Sequence, residues 1–264
     1  NGTSDSAIED YAAGAVDPGQ CILKLATAGN VNVMTADSHP HPATLTYSHV
    51  VPGMWYTVTA TNAAAVCQRW FRELMCGAEK AEAEKNGINV YDYLDQMAAE
   101  APVGSNGIFF HPYLMGERSP YWDPNLRGSF IGMSMGTTKG ELSRALLEGV
   151  AFSLRDCYRT IEEMGLDTYE FILIGGGAKS PLWAQIVCDV FNAPVLVPGS
   201  CDASFGAALL AGVGIGIWPD EVTAVKQCLR LDRKLSPNPE AVAEYRQLFE
   251  KYRKIHDVLA EINQ

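Results

Sequence analysis

Along the chain the spacing of apolar residues changes period several times, and each change marks an element. "SDSAIEDYAAGAV", residues 4–16, has helical composition behind an Asp/Ser start and is closed by Pro18-Gly19. The period then shortens to two. "QCILKLAT", "NVNVMT" and "MWYTVTA" are β-rich runs separated by turn residues at Gly29-Asn30 and Pro52-Gly53, which predicts a meander of three strands. Helical patterns follow at about 61–76 and 90–100, then a strand in "GIFFHPYL" and a polar, Pro-punctuated loop at 115–128. The longest helical signal comes next, with Leu142, Leu146, Val150, Leu154, Tyr158 and Ile161 recurring every three or four residues. The last third alternates: strand 170–174, helix 180–191, strand 194–197, helix 203–215 and a helical tail ending "EAVAEYRQLFEKYRKIHDVLAEINQ". No internal repeat or low-complexity segment interrupts it.

Three sequential strands, a helix, then strand, helix, strand, helix is the element order of a ribonuclease-H-like layer. An antiparallel meander is there extended by parallel strands with right-handed crossovers, giving an α/β domain with a mixed five-stranded sheet flanked by helices. Composition fits this picture: 264 residues with 47% hydrophobic and 19% charged content carry ample core. A net charge of -11 argues against nucleic acid or an acidic membrane surface as partner. It leaves room for a phosphate-bearing small molecule, which backbone amides can hold locally. Seven cysteines without a CxxC pair point to reduced thiols and a cytoplasmic setting. Neither a membrane span nor a signal peptide is indicated, and the chain opens without Met, as a piece of something longer would.

Candidate chemistry gathers in three places. In "FILIGGGAKSPLW" a strand runs into Gly175, Gly176 and Gly177 and then into a helix, so free amides and a positive helix end lie where a ligand can approach closely. The alternative is a tight turn with no ligand. Neither the Walker pattern nor a dinucleotide fingerprint is met: Lys179-Ser180 lacks its preceding Gly, and Ser180 stands where a third Gly or Ala belongs. The second place is "KLATAGNV", a hairpin whose tip carries Thr27 and Gly29, readable as an anion nest or as a plain turn. The third is Asp5, which reads as a helix N-cap unless it faces the other two. Elsewhere "HPHP" (39–42) reads as a surface loop, Trp122 and Trp183 as packing aromatics and "EKAEAEK" as a solvated helix face. Glu117 and Arg118 in "GERSP" read either as a phosphate contact or as an ion pair.

Taken together these residues resemble the C-terminal lobe of the FGGY carbohydrate kinases, nearest to the xylulokinases. "PYLMGERSPYWDPNLRGSFIGMSMGTTKGELSRALLEGVAFSLRD" (112–156) resembles the family's PYLxGERxP loop and its second signature, a G-x-apolar-x-G stretch from Gly128 to Gly132 leading to the acidic Glu148. "ILIGGGAKSPLWAQIVCDVFNAPVLVP" resembles the adenosine segment, and "ASFGAALLAGVGIG" the small-residue helix after it. The resemblance implies an actin/hexokinase-type ATPase fold in which residues 1–264 are the nucleotide-binding lobe and an N-terminal sugar-binding lobe lies outside this chain. It implies Asp5 as catalytic base with Ser6 beside the sugar, Thr27 and Gly29 as the second phosphate loop, and Gly132, Gly176, Gly177 and Ser180 around the nucleotide. Two departures stand out: "ATAG" for the commoner GTSG and "GTSDS" for GGGDN.

The implied activity is phosphorylation of a sugar or polyol hydroxyl by ATP with Mg²⁺, with a pentulose such as D-xylulose favoured. A loose phosphoryl-transfer transition state asks for positioning, amide donors and one acceptor for the hydroxyl proton, a role that suits Asp5. The alternative is a nucleotide-binding lobe that senses or scaffolds without transfer. An NAD-dependent oxidoreductase is disfavoured by the short sheet after the glycines. Oligomeric state, including a homodimer, stays open, and the isolated chain is expected to be inactive because sugar and ATP meet between lobes.

Overall fold

The computed structural model describes residues 3–263. Helix α1 (Asp5–Ala12) is capped by Ser4, whose hydroxyl accepts from the Ala7 amide. Strands β1 (Gln20–Leu25), β2 (Gly29–Thr35), β3 (Leu45–Ser48) and β4 (Trp55–Thr61) follow. After them come α2 (Ala65–Met75), α3 (Gly77–Lys85), α4 (Val90–Ala99), β5 (Phe109–His111) and β6 (Ser129–Ile131). The remainder is α5 (Lys139–Glu163), β7 (Glu170–Ile174), α6 (Pro181–Phe191), β8 (Val195–Pro198), α7 (Ala203–Gly214), α8 (Glu221–Cys228), β9 (Leu231–Leu235) and α9 (Pro239–Ile262).

The main sheet has seven strands in the order β3-β4-β2-β1-β7-β8-β9, two more than the sequence pattern predicts. Both additions are edges. β3 carries mostly exposed residues and β9 reads LDRKL, so neither shows the alternation that reveals a half-buried strand. The predicted meander is present as β1-β2-β4, antiparallel throughout, and β1, β7 and β8 are parallel. β9 returns antiparallel along β8. β5 and β6 form a separate two-stranded ribbon.

Period-two alternation sends successive side chains to opposite faces, and helices cover both. Cys21, Leu23, Leu25, Phe171 and Leu173 face the side built by α2, α4, α5, α6 and α9. Ile22, Met34, Tyr56, Ile172 and Ile174 face α1, α7 and α8. The central helix α5 starts in a capping box, Thr138 with Glu141, and passes so close to β5 that a Cβ at Gly149 would lie 2.1 Å from the Phe110 carbonyl oxygen. Glycine is therefore obligatory there. α1 and α7 cross equally tightly, with a Cβ at Gly206 only 2.5 Å from the Ile8 carbonyl oxygen.

Parallel β1, β7 and β8 end on one side of the sheet, and Gly29 of β2 pairs with Thr61 of β4 there too. One end of the sheet thus collects the glycine turn and the hairpin tip that the sequence marks as chemical.

Candidate nucleotide-binding site

Gly175 has φ +95°, and a Cβ there would sit 2.5 Å from the Leu25 carbonyl oxygen and 3.0 Å from the Ala26 amide nitrogen. The glycine turn and the β1–β2 hairpin therefore touch backbone against backbone. Gly177 makes room for Leu25 Cβ at 2.8 Å and for the Trp183 ring at 3.0 Å. Trp183 itself is fully buried and donates from Nε1 to the Leu147 carbonyl at 3.0 Å, so it packs as its sequence context predicts. Of the three glycines only Gly176 looks into open space. Two of the three are explained by packing alone.

Main-chain donors are left over at this contact. Among the described residues the amides of Thr27 and Ala28 at the hairpin tip, and of Gly176 and Gly177 in the turn, donate to no backbone carbonyl. Ser180 then caps α6 by accepting from the Trp183 amide at 3.0 Å, with Pro181 pre-set in the first turn. Two helix starts converge here, since Asp202 caps α7 by accepting from the Phe205 amide at 2.8 Å. Unpaired amides and convergent positive helix ends favour an anionic or strongly polar ligand.

Beside the turns lies a cavity of about 650 Å³ across the ends of β1, β7, β8 and β9, a size that suits a small-molecule ligand. Lys24, Ala26, Gly175, Lys179, Asp202 and Arg233 are among its lining residues. Lys24 is paired with Glu9 of α1. Arg233 donates from Nη2 to the Ala178 carbonyl at 2.5 Å, tying β9 to the glycine turn, and its Nη1 is buried without a partner. Neither Arg233 nor Asp202 is among the sequence candidates: β9 reads LDRKL without the alternation of a half-buried strand, and an Asp one residue before a helix carries no signal beyond that of a cap.

The sequence candidates do not all converge. Thr27, Gly29, Gly176, Gly177 and Ser180 stand at one end of the sheet, and their neighbours Ala26, Gly175, Ala178, Lys179 and Pro181 line the cavity. Asp5 is not the N-cap of α1, because Ser4 takes that role; Asp5 is exposed in the first turn and accepts from the Ser6 amide at 2.9 Å. Glu9, one turn further along α1, is the residue of that helix that reaches the cavity. Gly132 lies apart at the end of β6, with φ +93°, where a Cβ would meet the Gly107 carbonyl oxygen at 2.3 Å. Glu148 is buried mid-helix in α5 and accepts from Arg144 Nε, Tyr245 Oη, the Gly104 amide and Ser105 Oγ at 2.8–3.0 Å. Trp122 is 45% exposed, contrary to its reading as a packing residue.

Among the described residues Glu117 forms no ion pair, and its carboxylate is instead held by neutral donors. It is 3% exposed and accepts from Thr61 Oγ1 at 2.6 Å and from the amides of Asn62 and Arg118 at 2.8 and 2.7 Å. Burial pushes its carboxyl up to about 7, against the pull of those three donors.

Residues 25–215 match the model of the FGGY family of carbohydrate kinases, C-terminal domain. The chain belongs to that family. A xylulose kinase of Staphylococcus epidermidis is 32% identical over 262 residues, covering 97% of this chain and 50% of the relative. A gluconokinase of Bacillus subtilis is 29% identical over 249 residues, with 94% and 48% covered. Among solved structures, the xylulose kinase from Rhodospirillum rubrum superposes with a TM-score of 0.86 at 30% identity over 99% of this chain and 51% of that one. The fold is that of the actin/hexokinase-like ATPases, and the chain spans about half the length of the relatives it matches. No helix among the described residues is long and apolar enough to cross a membrane.

Proposed function

We propose that the chain is the nucleotide-binding lobe of an ATP-dependent carbohydrate kinase. Its acceptor is a sugar or polyol hydroxyl, a pentulose such as D-xylulose being favoured by the xylulose kinases among its relatives. The observation that carries this reading is the backbone contact between hairpin and glycine turn, which brings two segments with free amides together beside a cavity that Ala26, Gly175 and Ala178 line. In the proposed arrangement the tip at Thr27 and Gly29 holds the polyphosphate, while Gly176, the open glycine, gives the adenosine its close approach beside Ser180. Among the described residues no cluster of three or more His, Cys, Asp or Glu is suited to a metal. Mg²⁺ enters this reading as part of the MgATP substrate.

Asp5 is assigned as the general base. It stands exposed at the start of a helix whose next turn reaches the cavity through Glu9, and among the described residues its carboxylate accepts from the adjacent Ser6 amide. Ser6 is assigned to the sugar side. The second lobe of such a kinase would bring the sugar pocket and the first phosphate loop. All seven cysteines are unpaired, which supports a reducing, cytoplasmic setting.

The test is ADP release by the two-lobed protein with MgATP across xylulose, ribulose, gluconate and glycerol, with Asp5→Asn alongside. One sugar should stimulate release, and the substitution should lower turnover by about 100-fold or more with ADP affinity retained. Tight ATP binding with no stimulation by any sugar would replace the kinase reading with a nucleotide sensor.

A further inference from the structure

The hairpin tip has no side chain of its own to hold it in place. What fixes it is the turn from β4 into α2. Ala64 stands at the N-cap of α2 without a capping side chain, and the helix start is satisfied from outside. The amides of Ala64 and Val66 donate to the Thr27 carbonyl at 2.9 and 3.4 Å, and the Ala65 amide donates to the Ala26 carbonyl at 2.8 Å. The tip thus hangs by its carbonyls from the first turn of α2, and the amides of Thr27 and Ala28 donate to no backbone carbonyl.

One buried carboxylate gathers three of the donors that hold this turn, beside Arg118 Nη2 on the Thr61 carbonyl at 3.4 Å and Asn62 Nδ2 on the Met115 carbonyl at 3.2 Å. Glu117 Oε2 takes the Thr61 hydroxyl, and Oε1 takes the amides of Asn62 and Arg118. Thr61 is also the residue that pairs with Gly29 across the β2–β4 ladder, and its methyl lies where a Cβ at Gly29 would stand, 2.7 Å away. The Thr61–Asn62 junction is gripped by Glu117 on one side and carries the hairpin tip on the other. The loop that bears Glu117 is anchored independently, by the Ser119 amide on the Ala60 carbonyl at 2.9 Å and Ser119 Oγ on the Ala43 carbonyl at 3.1 Å.

We propose that Glu117 is a positioning residue for the polyphosphate: it fixes the Thr61–Asn62 junction, and through the start of α2 it sets where the free amides of Thr27 and Ala28 point. This rests on the reading of the 26–29 tip as the phosphate-binding element. A carboxylate that merely stapled its loop would affect stability, and would affect all ligands alike. One that aims the tip affects the polyphosphate and spares the nucleoside.

Calorimetric titration with ADP and with adenosine, on the wild-type protein and on Glu117→Ala and Glu117→Gln, separates the two. Wild type should bind ADP more tightly than adenosine. In Glu117→Ala that advantage should shrink by about tenfold, the scale on which loss of an outer hydrogen-bonding partner is felt at a bound group, with adenosine affinity held within about twofold. Glu117→Gln keeps a carbonyl oxygen for the two amides and should restore most of the advantage. Should Glu117→Ala fail to fold, Thr61→Val removes one of the three donors and carries the same expectation in weaker form. An ADP-to-adenosine ratio unchanged in these variants overturns the positioning role while the reading of the tip stands. A wild-type protein that prefers adenosine or shows no preference overturns both.

Discussion

Asp10 and Asn32 illustrate how a single proton can be part of the fold. Asp10 is buried in α1 against β2, and Asn32 Nδ2 donates to its Oδ2 at 2.8 Å. The other oxygens, Asp10 Oδ1 and Asn32 Oδ1, are both buried without a partner. A proton on Asp10 Oδ1 would supply the donor that two partnerless acceptors on adjoining side chains call for. Burial supports that state by raising the Asp10 carboxyl from 3.8 to about 7, against the lowering effect of Asn32 and Lys24. The sign follows from linkage. The folded protein keeps this proton where the unfolded chain has lost it, so the contribution of Asp10 to stability is full below about pH 4 and declines until about pH 7. Asp10→Asn should flatten that slope in urea titrations across pH 4–8 and should stabilise the protein on the order of 1–3 kcal/mol at pH 7.5. A variant with the same slope as wild type would show that Asp10 is ionised in the fold. None of this was legible in "AIEDYAAG", where Asp10 is one acidic residue of two and its burial depends on the β2 strand it meets.

At the scale of elements, the three adjacent glycines behave as two kinds of residue. Gly177→Ala places a methyl against Leu25 and the Trp183 ring and should cost about 2 kcal/mol or more in thermal or urea unfolding. Gly176→Ala meets nothing within 4 Å and should leave stability unchanged while weakening adenosine binding. Stability loss at position 176, or unaltered adenosine affinity there, would remove the adenosine role. The run "IGGG" announced the turn, but not which glycine serves packing, because that depends on how β1 lies beside β7. Long periodic segments were the most readable: α5, α6, β7 and α7 all lie where the pattern puts them. The short edges β3 and β9 were not, since exposed strands carry polar residues on both faces. With β9 went Arg233, and with it the link from the sheet edge to the glycine turn.

For the whole molecule, the two-sided core explains how a chain spanning about half the length of its relatives carries a hydrophobic core of its own. Both faces of the seven-stranded sheet are buried, and this chain contributes the ends of β1, β7, β8 and β9 to the cavity. Nucleotide binding and phosphoryl transfer should therefore separate. The chain of 264 residues should bind ADP, yet show no sugar-stimulated ADP release until the second lobe is supplied. Sugar-dependent release from the chain alone would place the sugar site within it. The motif order made the family legible at this scale. The grouping of the site did not follow as fully, since Gly132 and Asp5 make their contacts away from the glycine turn.

The hairpin tip is suspended by its carbonyls, and every residue has one. Nothing in that suspension depends on which side chains stand at 26, 27 and 28, so the segment can drift between relatives without losing its shape. An alanine at position 26 where the resemblance calls for glycine is the kind of change this arrangement absorbs. What cannot drift is the partner surface, the start of α2, where a proline at Ala65 would remove the donor that holds the Ala26 carbonyl and leave the tip hanging from the Thr27 carbonyl alone.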